Sequence, residues 1–215
     1  MDRKINFKVF HAHLDDLPKD AKEADVWLIT GSPVSVYDEP AWQTELTRFL
    51  RGAMQSQPVI GICYGHQLLH HILGGKVEKA INWGIGAHTY DVIEPPSWLS
   101  RDSNSNPLQL TLLASHQDQV TRMATGSTLL ATSSFCANAV TQIGATVLTV
   151  QAHPELSKAL MREVCEFRRQ LLGSELTDQA LASLHNDVND KEFAQWIFNF
   201  IDHVYSEQNL EAIAS

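Results

Sequence analysis

Residues 58–75 read Pro-Val-Ile-Gly-Ile-Cys-Tyr-Gly-His-Gln-Leu-Leu-His-His-Ile-Leu-Gly-Gly. The first five are an apolar run with no polar alternation, the pattern of a strand buried on both faces. The spacing then changes. Leu68, Leu69, Ile72 and Leu73 fall on one side of a helix, and Gly74-Gly75 stops it. A strand covered on both faces needs helices on either side of its sheet, so this segment commits the chain to an α/β fold.

The remainder fits that frame. Residues 5–10 (INFKVF) predict a strand and 26–30 (VWLIT) a buried one. Over 41–54, Trp42, Leu46, Phe49, Leu50 and Met54 share a helical face. Residues 76–93, 108–115, 128–134 and 138–151 predict strands divided by turn residues, with an antiparallel section and Gly144 at a turn. Residues 95–107 (PPSWLSRDSNSNP) are polar enough for a surface loop. Two helical faces follow: Leu156, Leu160, Val164, Phe167 and Leu171, then Phe193, Trp196, Ile197, Phe200 and Val204. The expectation is an open, mostly parallel sheet flanked by helices, with a small antiparallel β section. Without repeat or linker, 215 residues make one domain.

Cys63 stands where the buried strand meets the helix. A nucleophile on such a turn is held strained, with its side chain at the carboxyl end of the sheet. Gly61 and Gly65 leave room around it. The helix start offers backbone N–H groups and the positive end of a dipole, which favour a thiolate and can hold an oxyanion. The competing reading is a small buried hydrophobe, and Gly-x-Cys-x-Gly alone leaves the two near even. The strand before, the helix after and the polar Gln67 near the same opening favour the nucleophile.

A thiol nucleophile needs a base, and the base an orienting group. Gln151-Ala152-His153-Pro154-Glu155 follows the apolar run 145–150. His153 and Glu155, two apart at a strand end, can face one site. On spacing alone an ordinary loop histidine is the commoner outcome.

His66 and His70 lie four apart on a helix, a spacing that metal ligands use. No acidic or thiol ligand accompanies them in sequence, so half-buried or surface histidines are expected there and no metal. Cys136 and Cys165 are expected to pack structurally. Arg162, Glu163, Glu166, Arg168 and Arg169 read as a solvated helix face with i,i+4 pairs.

Composition narrows the function classes. A net charge of −9 argues against a nucleic-acid partner. Three cysteines do not make a disulfide framework. No signal-length or membrane-length apolar run occurs. A reducing, cytoplasmic setting is expected.

Residues 58–67 together with Gln-Ala-His-Pro-Glu (151–155) resemble the class I, triad-type glutamine amidotransferases. Gly31-Ser32-Pro33 followed by Ser35-Val36-Tyr37-Asp38 resembles the loop that helps to form that family's oxyanion hole. Ser115-His116-Gln117-Asp118-Gln119-Val120 resembles a stretch of the GMP-synthetase-like amidotransferase domains, and Asn82-Trp83-Gly84-Ile85-Gly86 a segment of that branch's stand-alone members. The resemblance implies a catalytic Cys63, His153 and Glu155, and no cofactor. It puts backbone N–H groups near Gly31, Ser32 and Tyr64 at the oxyanion, and Gln67, Ser115 and His116 at the amino-acid end of the substrate. The implied reaction cleaves the γ-amide of glutamine through a thioester and releases ammonia, with a separate synthetase chain as acceptor. Residues 1–215 contain no P-loop or Gly-rich nucleotide motif. A stand-alone hydrolase of γ-glutamyl peptides or conjugates would use the same residues. A non-catalytic regulatory or binding protein of the same fold, or a redox-sensing cysteine protein, is the alternative of another class. The family begins with a short strand and helix ahead of the match to residues 5–10. Residues 1–215 are expected to form a single domain without that pair, either marginally stable or pairing a strand edge with another chain.

Overall fold

The computed structural model describes residues 4–93, 95–99 and 109–214. A seven-stranded sheet runs through them. Its strands are β1 (Trp27–Ile29), β2 (Val59–Ile62), β3 (Lys76–Val92), β4 (Gln109–Arg122), β5 (Ser127–Thr132), β6 (Val140–Ile143) and β7 (Val147–Val150). The helices are α1 (Ala41–Ala53), α2 (Tyr64–Ile72), α3 (Lys158–Phe167), α4 (Arg169–Leu172), α5 (Ser174–Ser183) and α6 (Asp190–Ala214). The strand order is β1-β2-β7-β6-β5-β3-β4. β1, β2 and β7 pair in parallel, and the remaining neighbours pair antiparallel. The expected α/β sheet flanked by helices is there, and its antiparallel part is the larger. The long β3–β4 ribbon accounts for this.

β2 is buried at every position, as its unbroken apolar run requires. Ile60, Ile62, Leu148 and Val150 of the parallel strands face a core cluster shared with Phe193, Trp196, Phe200 and Val204 of α6. Val59 and Val147 face the opposite cluster, with Leu46 and Leu50 of α1 and Leu68 and Leu69 of α2. Helices therefore cover both faces of the parallel strands, and only their carboxyl ends stay open to a ligand.

Four expectations need correcting. Residues 5–10 form no strand; Ile5, Phe7 and Val9 are exposed, and Phe10 alone reaches the core by packing on Trp27. Among the described residues their backbone pairs with no strand, and their alternation buries no face. β1 is accordingly an edge strand, paired among the described residues only with β2, and Leu28 is exposed rather than buried. The loop at 95–99 is not wholly surface: Leu99 is buried, and Trp98 packs on Trp196 and Phe200. Residues 100–107 of that loop lie outside the described residues. On α3 the buried residues are Met161 and Cys165, packed with Ile85, Leu113, Ala180 and Leu184. Leu160, Phe167 and Leu171 are exposed. The helix ends at Phe167, so its covered stripe is rotated from the expected one by about one residue.

Candidate active site

Cys63 lies between β2 and α2 with φ 52° and ψ −101°. A side chain at positive φ costs energy, which the surroundings must offset. Here they do so on both sides. The Cys63 N–H donates to the Val150 carbonyl at 2.9 Å, and the Gln67 N–H donates to the Cys63 carbonyl at 3.0 Å. The flanking glycines are demanded by contact. A Cβ on Gly65 would lie 2.4 Å from the Ile29 carbonyl oxygen, and one on Gly61 2.8 Å from Gly65 backbone. Strand and helix thus meet backbone to backbone beneath the thiol.

His153 follows β7 and is fixed by its own backbone, whose N–H donates to the Leu113 carbonyl at 2.7 Å. Its Nδ1 donates to Glu155 Oε1 at 2.7 Å, which turns Nε2 toward Cys63. Burial works against a charged ring. Hydrogen bonds with Cys63 and Glu155 outweigh it and raise the His153 pKa to about 10. The imidazole therefore holds a proton at neutral pH and has the protonation state of a general acid.

Gly31 closes the third side. A Cβ there would lie 3.0 Å from His153 Cε1 and 3.7 Å from Cys63 Cβ. Backbone this near the thiol suits an oxyanion hole, with Ser32 next in the loop and the Tyr64 N–H at the start of α2. The Tyr64 hydroxyl donates to Gln43 Oε1 at 2.7 Å, and Gln43 Nε2 donates to the Val36 carbonyl at 2.9 Å. That relay ties the loop after Gly31 to the nucleophile turn through α1.

The residues expected at the amino-acid end also converge. Gln67 Nε2 donates to the Asp118 carbonyl at 2.9 Å and to Gln151 Oε1 at 3.2 Å. His116 Nδ1 donates to the same Asp118 carbonyl at 3.1 Å. Burial lowers the His116 pKa to about 3, so the ring is neutral and its Nε2 is a bare acceptor without a protein partner. Ser115 is the exception: its hydroxyl accepts from Arg168 Nη1 at 3.1 Å on the other side of β4.

Residues that the sequence did not single out complete the site. The Asp118 carboxylate accepts from the Ser35 hydroxyl and, at 2.8 Å, from the Tyr37 hydroxyl, pinning the loop after Gly31 to β4. Gln151 is buried two residues before His153. Asp118 and Gln151 both stand inside motifs that carry the resemblance, which was the signal available for each.

His66 and His70 are fully buried, not half-buried or at the surface. The Ala124 N–H donates to His70 Nδ1 at 3.0 Å. Neutral His70 therefore donates from Nε2 to Thr141 Oγ1 at 2.8 Å. Thr141 and Thr149 hydroxyls are 2.7 Å apart, and Thr149 Oγ1 is 2.7 Å from His66 Nδ1. These rings brace α2 against β6 and β7.

Residues 1–169 match the glutamine amidotransferase class-I family. The chain belongs to that family. It is 28% identical over 198 residues to gamma-glutamyl peptidase 5 of Arabidopsis thaliana, spanning 88% of this chain and 76% of the peptidase. It is 30% identical over 176 residues to the glutamine-hydrolyzing GMP synthase of Lactiplantibacillus plantarum, spanning 77% of this chain but only 33% of the synthase. A crystal structure of a glutamine amido transferase from Methylobacillus flagellatus superposes with a TM-score of 0.72 at 25% identity, covering 94% of this chain and 83% of the other. No helix among the described residues is long and apolar enough to cross a membrane.

Proposed function

We propose that this class-I amidotransferase fold cleaves γ-glutamyl amides by a cysteine mechanism. Cys63 attacks the γ-carbonyl carbon, and a C–S bond forms as backbone N–H groups near Gly31, Ser32 and Tyr64 hold the oxyanion. The C–N bond breaks, and the amine departs with the proton that His153 supplies. Water then attacks the thioester carbon and gives a proton back to His153; the C–S bond breaks, releasing glutamate and the Cys63 thiolate. Glu155 keeps the imidazole aimed throughout. Gln67, His116 and the Ser115 backbone take the amino-acid end.

The observation that carries this reading is the meeting of three distant segments. The strained Cys63, the His153–Glu155 pair and Gly31 come within contact distance of one another. Glutamine is the simplest substrate, releasing ammonia to a separate synthetase chain in a reducing, cytoplasmic setting. The γ-glutamyl peptide reading has support of its own: the relative spanning most of both chains is named a gamma-glutamyl peptidase, whereas this chain spans about a third of the synthase.

Purified protein and Cys63→Ala are to be offered glutamine and a γ-glutamyl dipeptide. Wild type is expected to release ammonia or free amino acid, with at least a thousandfold loss in the variant, the order expected for removing a nucleophile. An unchanged rate in Cys63→Ala would overturn the mechanism. So would wild type that turns over neither substrate and is not labelled at Cys63 by an electrophilic glutamine analogue.

A further inference from the structure

The loop that brings Gly31 against Cys63 and His153 is fastened further along by one residue of β4. Past Gly31 the chain makes a single 3₁₀ turn, Val36–Asp38, in which the Ser35 N–H donates to the Asp38 carboxylate at 3.1 Å. Val36 is wholly buried among side chains of α1 and α2, and its carbonyl accepts from Gln43 Nε2. The residues on either side of Val36 reach β4 instead. The hydroxyls of Ser35 and Tyr37 both donate to the Asp118 carboxylate, one to each oxygen.

Asp118 has a second set of contacts. Its backbone carbonyl accepts from Gln67 Nε2 at 2.9 Å and from His116 Nδ1 at 3.1 Å. One residue therefore carries two parts of the site. Its main chain steadies the side chains assigned to the amino-acid end of the substrate, and its side chain steadies the loop assigned to the oxyanion. The spacing between those parts is set by the reach of a single aspartate.

The loop needs such an anchor. Gly31 has no side chain with which to hold its own place, although a Cβ there would stand 3.0 Å from the His153 ring. Its position is set by β1 behind it and by the anchored turn ahead. Backbone N–H groups stabilise an oxyanion well only when they are held in place before the charge develops. Bonds from hydroxyls to an ionised carboxylate are stronger than neutral pairs. Two of them on one planar group restrain rotation as well as separation.

We propose that Asp118 is a positioning residue for the cleavage reaction: through Ser35 and Tyr37 it holds the backbone near Gly31 and Ser32 at the distance from Cys63 that the oxyanion requires. This rests on the thioester reading above.

The full chain is assayed as wild type, Asp118→Ala, the double variant Ser35→Ala/Tyr37→Phe, and the triple variant, on whichever of glutamine and a γ-glutamyl dipeptide wild type turns over. Asp118→Ala is expected to lower kcat about tenfold or more, with KM within about threefold of wild type. The double variant is expected to do the same. The triple variant is expected to be slower than Asp118→Ala by no more than about twofold, because both changes cut the same tie. Asp118→Asn retains one acceptor oxygen and is expected to keep part of the rate. Losses that multiply in the triple variant overturn the proposal, since Asp118 would then act apart from the loop. A raised KM with kcat kept overturns it by placing the role of Asp118 at Gln67 and His116. Where Asp118→Ala does not fold, the double variant, which leaves β4 untouched, decides alone: a full kcat there overturns the proposal and leaves the thioester mechanism intact. Failure of wild type on every substrate, with Cys63 unlabelled by an electrophilic glutamine analogue, removes the mechanism and this proposal together.

Discussion

At the scale of single residues, space around the thiol is as decisive as the reactive groups. Gly31 has no unusual φ, so its backbone would accept alanine. The constraint is the His153 ring, 3.0 Å from where a Cβ would stand. A contact that tight must displace either the ring or the loop by a few tenths of an ångström. Both belong to the proposed reacting constellation, and small displacements in such a site cost rate out of proportion to their size. Gly31→Ala is expected to lower kcat about tenfold or more, with a melting temperature within a few degrees of wild type. Steady-state kinetics and thermal unfolding on one preparation separate the two effects. A full rate in Gly31→Ala would show that the loop does not border the reacting atoms.

At the scale of elements, the β2–turn–α2 unit is where sequence and structure agree most closely. Every signal it carries is local: an apolar run, a change of period, glycines at fixed offsets. The glycines set a testable limit. A methyl on Gly65 would meet the Ile29 carbonyl of β1 at 2.4 Å, and backbone cannot give as a side-chain tip can. Gly65→Ala is expected to destabilise the fold by about 2 kcal/mol or more, read as a lower denaturation midpoint. An unchanged midpoint would mean that β1 and α2 are not in backbone contact. What stayed illegible is long-range. His66 meets Thr149 across 83 residues and Arg168 meets Ser115 across 53, and no spacing rule links such positions. The covered stripe of α3 was misplaced because Phe167 and Leu171 belong on either side of a break at Arg168. Residues 5–10 carry a strand's alternation without a strand's partner. The proximity of Cys63, His153 and Glu155, the trio proposed to be catalytic, was legible largely through resemblance, since spacing alone left His153 an ordinary loop histidine.

At the scale of the whole molecule, the buried histidines couple stability to pH. Burial lowers the His70 pKa to about 4, against about 6.5 in an unfolded chain. Between those values the unfolded state binds the proton and the folded state refuses it, so stability falls as pH drops through this window. From pH 7.5 to 5 the loss from His70 is about 2 kcal/mol, a sizeable part of a typical total of about 5–15 kcal/mol. His66 and His116, also lowered by burial, act in the same direction. His153 opposes them: its pKa is raised, so its stabilisation is full below the unfolded value and fades as pH climbs toward 10. The informative quantity is therefore a difference. His70→Leu forfeits the bonds to Ala124 and Thr141 and should be less stable at pH 7.5. It no longer carries the group that resists protonation, so its stability should fall less than that of wild type on going to pH 5. Urea unfolding of both proteins at the two pH values measures this, in a range above most carboxylate titration. Equal losses in the two proteins would mean that His70 is open to protons in the folded state, and that its bridge from α2 to β6 is broken in solution.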